Sequence, residues 1–206
     1  MASLQYITLI HGVAAGTGYN TDATAGTSDL SETLIQNLVQ HINRALEWAW
    51  MPENPALAWP FTITDDATIT VTNGVIAWAD LGAFSGGWFS LWTADPRPYG
   101  NSAVPIEASW DEDGVYPKTT ETSIFGFYRS TLPQGTYASG GTYTTPTYPQ
   151  ELKEMVTQKA LAYYFEASDA EKRAARADER AQMEMDRRLL PLLNSPVPWL
   201  MSTGLN

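Results

Sequence analysis

Two kinds of hydrophobic spacing divide this chain, and they do not alternate. Residues 30–50, LSETLIQNLVQHINRALEWAW, carry apolar side chains every three or four positions, and so do residues 149–190. That is the spacing of one face of a helix. Between them, residues 59–131 carry apolar and polar side chains in turn, which suits strands with one buried face. Helices that bracket a run of strands exclude a parallel βαβ architecture. They predict an α+β fold: an N-terminal amphipathic helix and a C-terminal helical hairpin packed with an antiparallel β meander.

The first helix, 30–50, is marked by Leu34, Leu38, Ile42, Ala45 and Ala49, widened by Ile35, Val39 and Leu46. Asp29 and Glu32 resemble a capping box, and Pro52 ends the helix. In the β region, Asn73-Gly74 predicts a hairpin turn, because both positions need positive φ. Asp111–Gly114 predicts a second turn, and Pro133–Tyr148 reads as a long loop. Leu152, Met155, Val156, Lys159, Ala160 and Tyr163 trace one face of a helix over 149–166, with Thr147 and Gln150 as its capping box. Ser168 and Glu171 form a further cap inside apparently helical sequence, so a break near Ala167 is expected, with a third helix over 169–190.

That third helix is different in kind. Ala170, Ala174, Ala177, Ala181 and Met185 share one side, and the other faces are mostly Arg, Lys, Glu and Asp. Alanine has no rotamer entropy to lose and lets another backbone come close. Two readings stand: a solvated helix on a monomer, or a close-packed polar contact between subunits. On either side of the expected single domain at 29–190 lie an arm, residues 1–28, and an apolar tail, residues 191–206. In the tail Leu192, Leu193, Val197, Trp199, Leu200 and Met201 accompany Pro191, Pro196 and Pro198, which disfavour a helix. Such a segment either folds back or docks on a partner.

Charge is uneven. Residues 1–150 hold 14 Asp/Glu against 4 Lys/Arg, and residues 151–206 hold 9 against 8, for a net charge of −11. An acidic body repels polyanions, though it suits a surface past which DNA must slide. There is no cysteine, which removes disulfides and thiolate chemistry. No Lys or Arg precedes Arg44, which speaks against a secretory leader. No apolar run reaches the ~18 residues of a membrane span.

Catalytic signatures are scarce. The two histidines, His11 and His41, form no HxxxH or HExxH pattern, there is no G-x-S-x-G, and Gly16-Thr17-Gly18 lacks the Lys of a phosphate loop. Neither a metal nor a cofactor is expected, nor an enzyme. Asp111, Glu112 and Asp113 suit an exposed turn better than a cation site. Trp88 and Trp92, four apart in a strand, share a face and offer a sugar-binding platform as an alternative, but burial in a core accounts for such rings equally well.

The order of elements resembles the head–tail connector proteins of tailed bacteriophages, the adaptor or gatekeeper-like family that includes tail tubular protein A. The likeness is carried by NLVQHINRALEWAW (37–50), FGFYRSTLP (125–133), YPQELKEMVTQKALAYYF (148–165) and DAEKRAARADERAQMEMDRR (169–188). It implies a non-catalytic virion protein at the head–tail junction, assembled in the host cytoplasm. It implies a homo-oligomeric ring, commonly of twelve copies, contacting a portal protein and a tail or nozzle protein. DNA would pass through the lumen without sequence-specific binding, and no membrane would be involved. On that resemblance the subunit or portal interface would comprise Ala170, Glu171, Arg173, Ala174, Arg176, Ala177, Arg180, Glu184, Arg187 and Arg188. The six apolar tail residues would dock on adjacent components.

Overall fold

The structure, a computed structural model, describes residues 3–19, 30–50, 62–81, 84–98, 102–130, 132–138, 142–144 and 146–193. The chain begins with strand β1 (Ser3–Gln5) and helices α1 (Tyr6–Thr17) and α2 (Glu32–Trp50). Strands β2 (Ile63–Thr70), β3 (Ile76–Ala77), β4 (Phe84–Trp92) and β5 (Pro105–Ile106) follow, with a 3-10 turn at Trp78–Leu81. Next come β6 (Ala108–Trp110), β7 (Gly114–Pro117), β8 (Ser123–Ser130), β9 (Thr136–Ala138), β10 (Thr142–Thr144) and β11 (Thr147–Pro149). Helices α3 (Leu152–Ala167) and α4 (Glu171–Leu193) close the series. Among the described residues every strand pair is antiparallel, and the fold is α+β, as the spacing predicts.

The chain divides into two compact units: residues 1–53 with 132–191, and residues 54–131 with 192–206. The first unit is mainly helical. Its core gathers Leu4, Tyr6, Leu9, Ile10 and Val13 from the N-terminal segment, Leu38, Ile42, Ala45 and Leu46 from α2, and Leu152, Met155, Val156 and Ala160 from α3. The expected N-terminal arm is therefore corrected. Tyr6, Leu9, Ile10, Val13 and Ala14 recur at helical spacing and are buried, so this segment forms α1, and β1 pairs with β11. Helix α2 starts at Glu32, and Ser31 caps it, its Oγ accepting from the Leu34 amide at 3.3 Å; Asp29 lies outside the described residues. The expected Thr147–Gln150 cap is not formed: Thr147 belongs to β11, and the residue before α3, Glu151, makes no side-chain cap. The expected loop at 133–148 also holds secondary structure. Thr136-Tyr137-Ala138 pairs with Thr142-Tyr143-Thr144, since Thr and Tyr favour extended backbone.

The second unit is built of strands. Its larger sheet runs β2-β8-β4-β5 and its smaller one β3-β7-β6, so the strands do not follow chain order as a meander would. The Asn73-Gly74 turn explains part of this. Both residues have positive φ, 53° and 81°, and the turn closes with the Thr72–Val75 bridge. Beyond that bridge β3 pairs with β7 while β2 pairs with β8. Ile69, Val71, Ile76, Leu91, Ile106, Val115 and Ile124, drawn from both sheets, form one buried cluster. At the β6–β7 turn the Asp111 carboxylate accepts from the amides of Asp113 (2.9 Å) and Gly114 (3.3 Å). Asp111 is thus a turn former, as its sequence context predicts.

Candidate interaction surface

The break between α3 and α4 is closed by local hydrogen bonds. The Ser168 and Ala170 amides donate to the Phe165 carbonyl at 3.2 and 2.9 Å, and the Ser168 hydroxyl donates to the Tyr164 carbonyl at 2.9 Å. Asp169 takes the left-handed conformation, φ 53°, which turns the chain and ends one helix before the next begins. Helix α4 then folds back along α3. Lys159 of α3 forms an ion pair with Asp178 of α4, and Arg173 lies over the Phe165 ring at 5.2 Å. Residues eight (Phe165 and Arg173) and nineteen (Lys159 and Asp178) positions apart along the chain thus become side-by-side contacts.

This packing decides which of the expected interface residues are free to meet another molecule. Ala177, Ala181 and Met185 are buried within the chain itself, so Ala177 is corrected from an intersubunit residue to an intrachain one. Ala170, Ala174, Glu184 and Arg188 are half-buried, and Glu184 sits 3.6 Å from Arg188 and 3.7 Å from Arg187. Glu171, Arg173, Arg176, Arg180 and Arg187 are exposed. An open groove of about 250 Å3 runs between the two helices, lined by Glu154, Gln158, Arg180, Met183 and Glu184. Met183 is 63 % exposed, a large apolar side chain amid charge.

Of the expected apolar tail, Leu192 and Leu193 belong to α4, which continues two residues past Pro191. A proline within the last turn removes only one intrahelical hydrogen bond, so the helix need not stop there. Val197, Trp199, Leu200 and Met201 lie outside the described residues.

The other sequence candidates lie elsewhere. Trp92 is 8 % exposed and packs with Phe125 and Phe127, its indole N–H donating to the Ser90 hydroxyl at 2.9 Å. It is a core residue and not half of a surface platform; the Trp88 side chain lies outside what the structure describes. His41 is half-buried against Tyr164, ring centroids 6.0 Å apart and edge to face. Burial, and then the Arg44 charge, lower its pKa from the usual histidine value. It is a packed residue on the α2–α3 seam, where Arg44 stacks 4.0 Å from the Tyr163 ring and Lys159 lies 4.8 Å from that of Trp48. Among the described residues no group of three metal-ligating side chains gathers, and no helix is long and apolar enough to cross a membrane.

Sequence reasoning missed one junction in the first unit. The Tyr6 hydroxyl donates to Asn43 Oδ1 at 2.9 Å, and Asn43 Nδ2 donates to the Gly135 carbonyl at 2.8 Å. The Tyr6 ring lies 6.3 Å from that of Tyr148, whose hydroxyl donates to the Pro133 carbonyl. The five residues tie α1, α2 and the segment before α3 together. The helical spacing of Tyr6, Leu9, Ile10 and Val13 was the available signal; Gly12 and Gly16 masked it. No protein-family model matches the chain, and no curated protein matches it.

Proposed function

We propose that this chain is a structural protein of a tailed-bacteriophage virion, a head–tail adaptor. Its copies form a ring beneath the portal, tail components attach to the ring, and DNA passes through it. The order of elements supports this reading through its resemblance to connector proteins. One observation carries it furthest. Helix α4 is 23 residues long and so about 35 Å; over residues 171–188 it packs one narrow face on its own chain and leaves two mainly charged faces exposed. A helix with so little of its surface buried draws little stability from its own chain. Its exposed faces are available to neighbouring subunits and to the portal.

A ring requires every subunit to present two different patches, one to each neighbour, and α4 has two exposed flanks to give. The net charge of −11 suits a lumen to which packaged DNA does not adhere. Residues 194–206 would dock on the portal or the tail protein. The role assigned is assembly, without a catalysed reaction. The test is co-sedimentation of the full-length chain with the portal and tail proteins of its own particle. One heavy complex of defined stoichiometry is expected. A chain that stays single in every mixture contradicts the reading.

A further inference from the structure

Each residue of a helix turns about 100° from the last, and that rotation divides α4 into three arcs. One arc holds Ala174, Ala177, Ala181 and Met185, with Glu184 and Arg188 at its margin, all buried or half-buried. A second holds Glu171, Asp178, Glu179 and Asp186, all exposed, with Ala175 and Gln182 among them. The third holds Lys172, Arg173, Arg176, Arg180 and Arg187, all exposed, with Met183 among them. Charges of opposite sign thus occupy opposite flanks of the helix. The basic flank is concentrated: Lys172, Arg173, Arg176, Arg180 and Arg187 are five of the 12 Lys and Arg of the whole chain.

We infer that the acidic flank of α4 in one copy docks against the basic flank of α4 in the next, with the two helices parallel and level. The inference rests on the reading of this chain as a ring former and adds the contact and its register. The charges match by height along the axis. Glu171 stands level with Lys172 and Arg173, Glu179 with Arg176 and Arg180, and Asp186 with Arg187. Each pairing falls within about one 5.4 Å turn, so copies related by rotation about an axis parallel to α4 need no axial slip. Met183 stands level with Gln182 of the acidic flank, and the contact would cover its apolar side chain.

Other occupants fit less well. Two copies set antiparallel with their outer crests together bring acidic flank onto acidic flank and basic onto basic, which is repulsive. A nucleic acid would gain the basic flank but would meet the acidic flank beside it. Only a parallel copy satisfies both flanks, and because the two flanks are different patches, the contact repeats until it closes. Exposed ion pairs are individually weak, so the contact depends on several levels acting together and on low screening.

The test uses two full-length variants, each checked for folding by circular dichroism. In one the basic flank is reversed (Arg176→Glu, Arg180→Glu, Arg187→Glu). In the other the acidic flank is reversed (Glu171→Arg, Glu179→Arg, Asp186→Arg), and Asp178 is kept because Lys159 holds it. Sedimentation in about 0.15 M salt should give a closed multimer of more than two copies for the unaltered chain, and single chains for each variant alone. A one-to-one mixture of the variants should restore the multimer. In 1 M salt, where the screening length falls to ~3 Å, the concentration needed for assembly should rise at least about tenfold. Variants that assemble like the unaltered chain overturn this contact and leave the ring reading standing. An unaltered chain that neither self-associates nor joins its portal overturns both. A two-copy species overturns the repeating contact. Binding of duplex DNA that vanishes in the basic-flank variant, with no change in oligomeric mass, shows a polyanion site instead.

Discussion

A methyl group added at Gly135 would stand 2.3 Å from the Tyr6 ring, far inside the ~3.5–4.0 Å of an ordinary carbon contact. The ring has no room to retreat, because Tyr6 is fully buried and its hydroxyl is held by Asn43. Gly135→Ala should therefore lower stability by about 1–3 kcal/mol, and Tyr6→Phe by about 1–2 kcal/mol, since it leaves Asn43 Oδ1 without its donor. Both effects are read from the shift of the denaturant midpoint. Burial, and then the neighbouring Tyr148, hold the Tyr6 phenol well above its ordinary range, so it stays a neutral donor wherever the chain is folded. His41 makes the opposite kind of prediction. Its folded pKa is lowered, so the unfolded chain takes up the proton first. Its contribution to stability is complete above the ordinary histidine value of about 6.5 and is lost as pH falls toward the lowered value. The stability lost between pH 7.5 and 5.5 should be smaller in His41→Gln than in the unaltered chain.

Asp169 shows what an element boundary rests on. Its positive φ is costly for a residue with a Cβ, less so for Asp than for most. Asp169→Gly should raise the thermal midpoint by an amount equivalent to up to about 1 kcal/mol, whereas Asp169→Val should lower it by about 1–2 kcal/mol. The break itself was legible in the sequence because it is local: Ser168 and the polar turn beside it announce it within a few residues. Helix α2 and the Asn73-Gly74 turn were legible for the same reason. Helix α1 carried the same signal in Tyr6, Leu9, Ile10 and Val13, but its glycines and alanines read as an arm. What could not be read were the long-range pairings. That β2 pairs with β8 across some sixty residues, or that β1 pairs with β11, follows from which surfaces meet after collapse. The caps failed likewise: Thr147 serves a strand, and Ser31 caps α2.

At the scale of the whole molecule, the surface candidate was half legible. The charged residues of α4 were marked by composition and spacing, and Arg173, Arg176, Arg180 and Arg187 are indeed exposed. The alanine stripe misled, because small residues permit close approach without saying whose backbone approaches. In α4 it is the chain's own at Ala177 and Ala181. The −11 net charge, the exposed flanks of α4 and the resemblance to connectors join in one proposal: a subunit whose chemistry is contact with its copies and with its neighbours in the particle. Electron micrographs of the purified full-length chain, alone and with its portal, test that most directly. The proposal predicts ring-shaped particles with a central opening, alone or seated on the portal. Isolated single-chain particles in both preparations would contradict it.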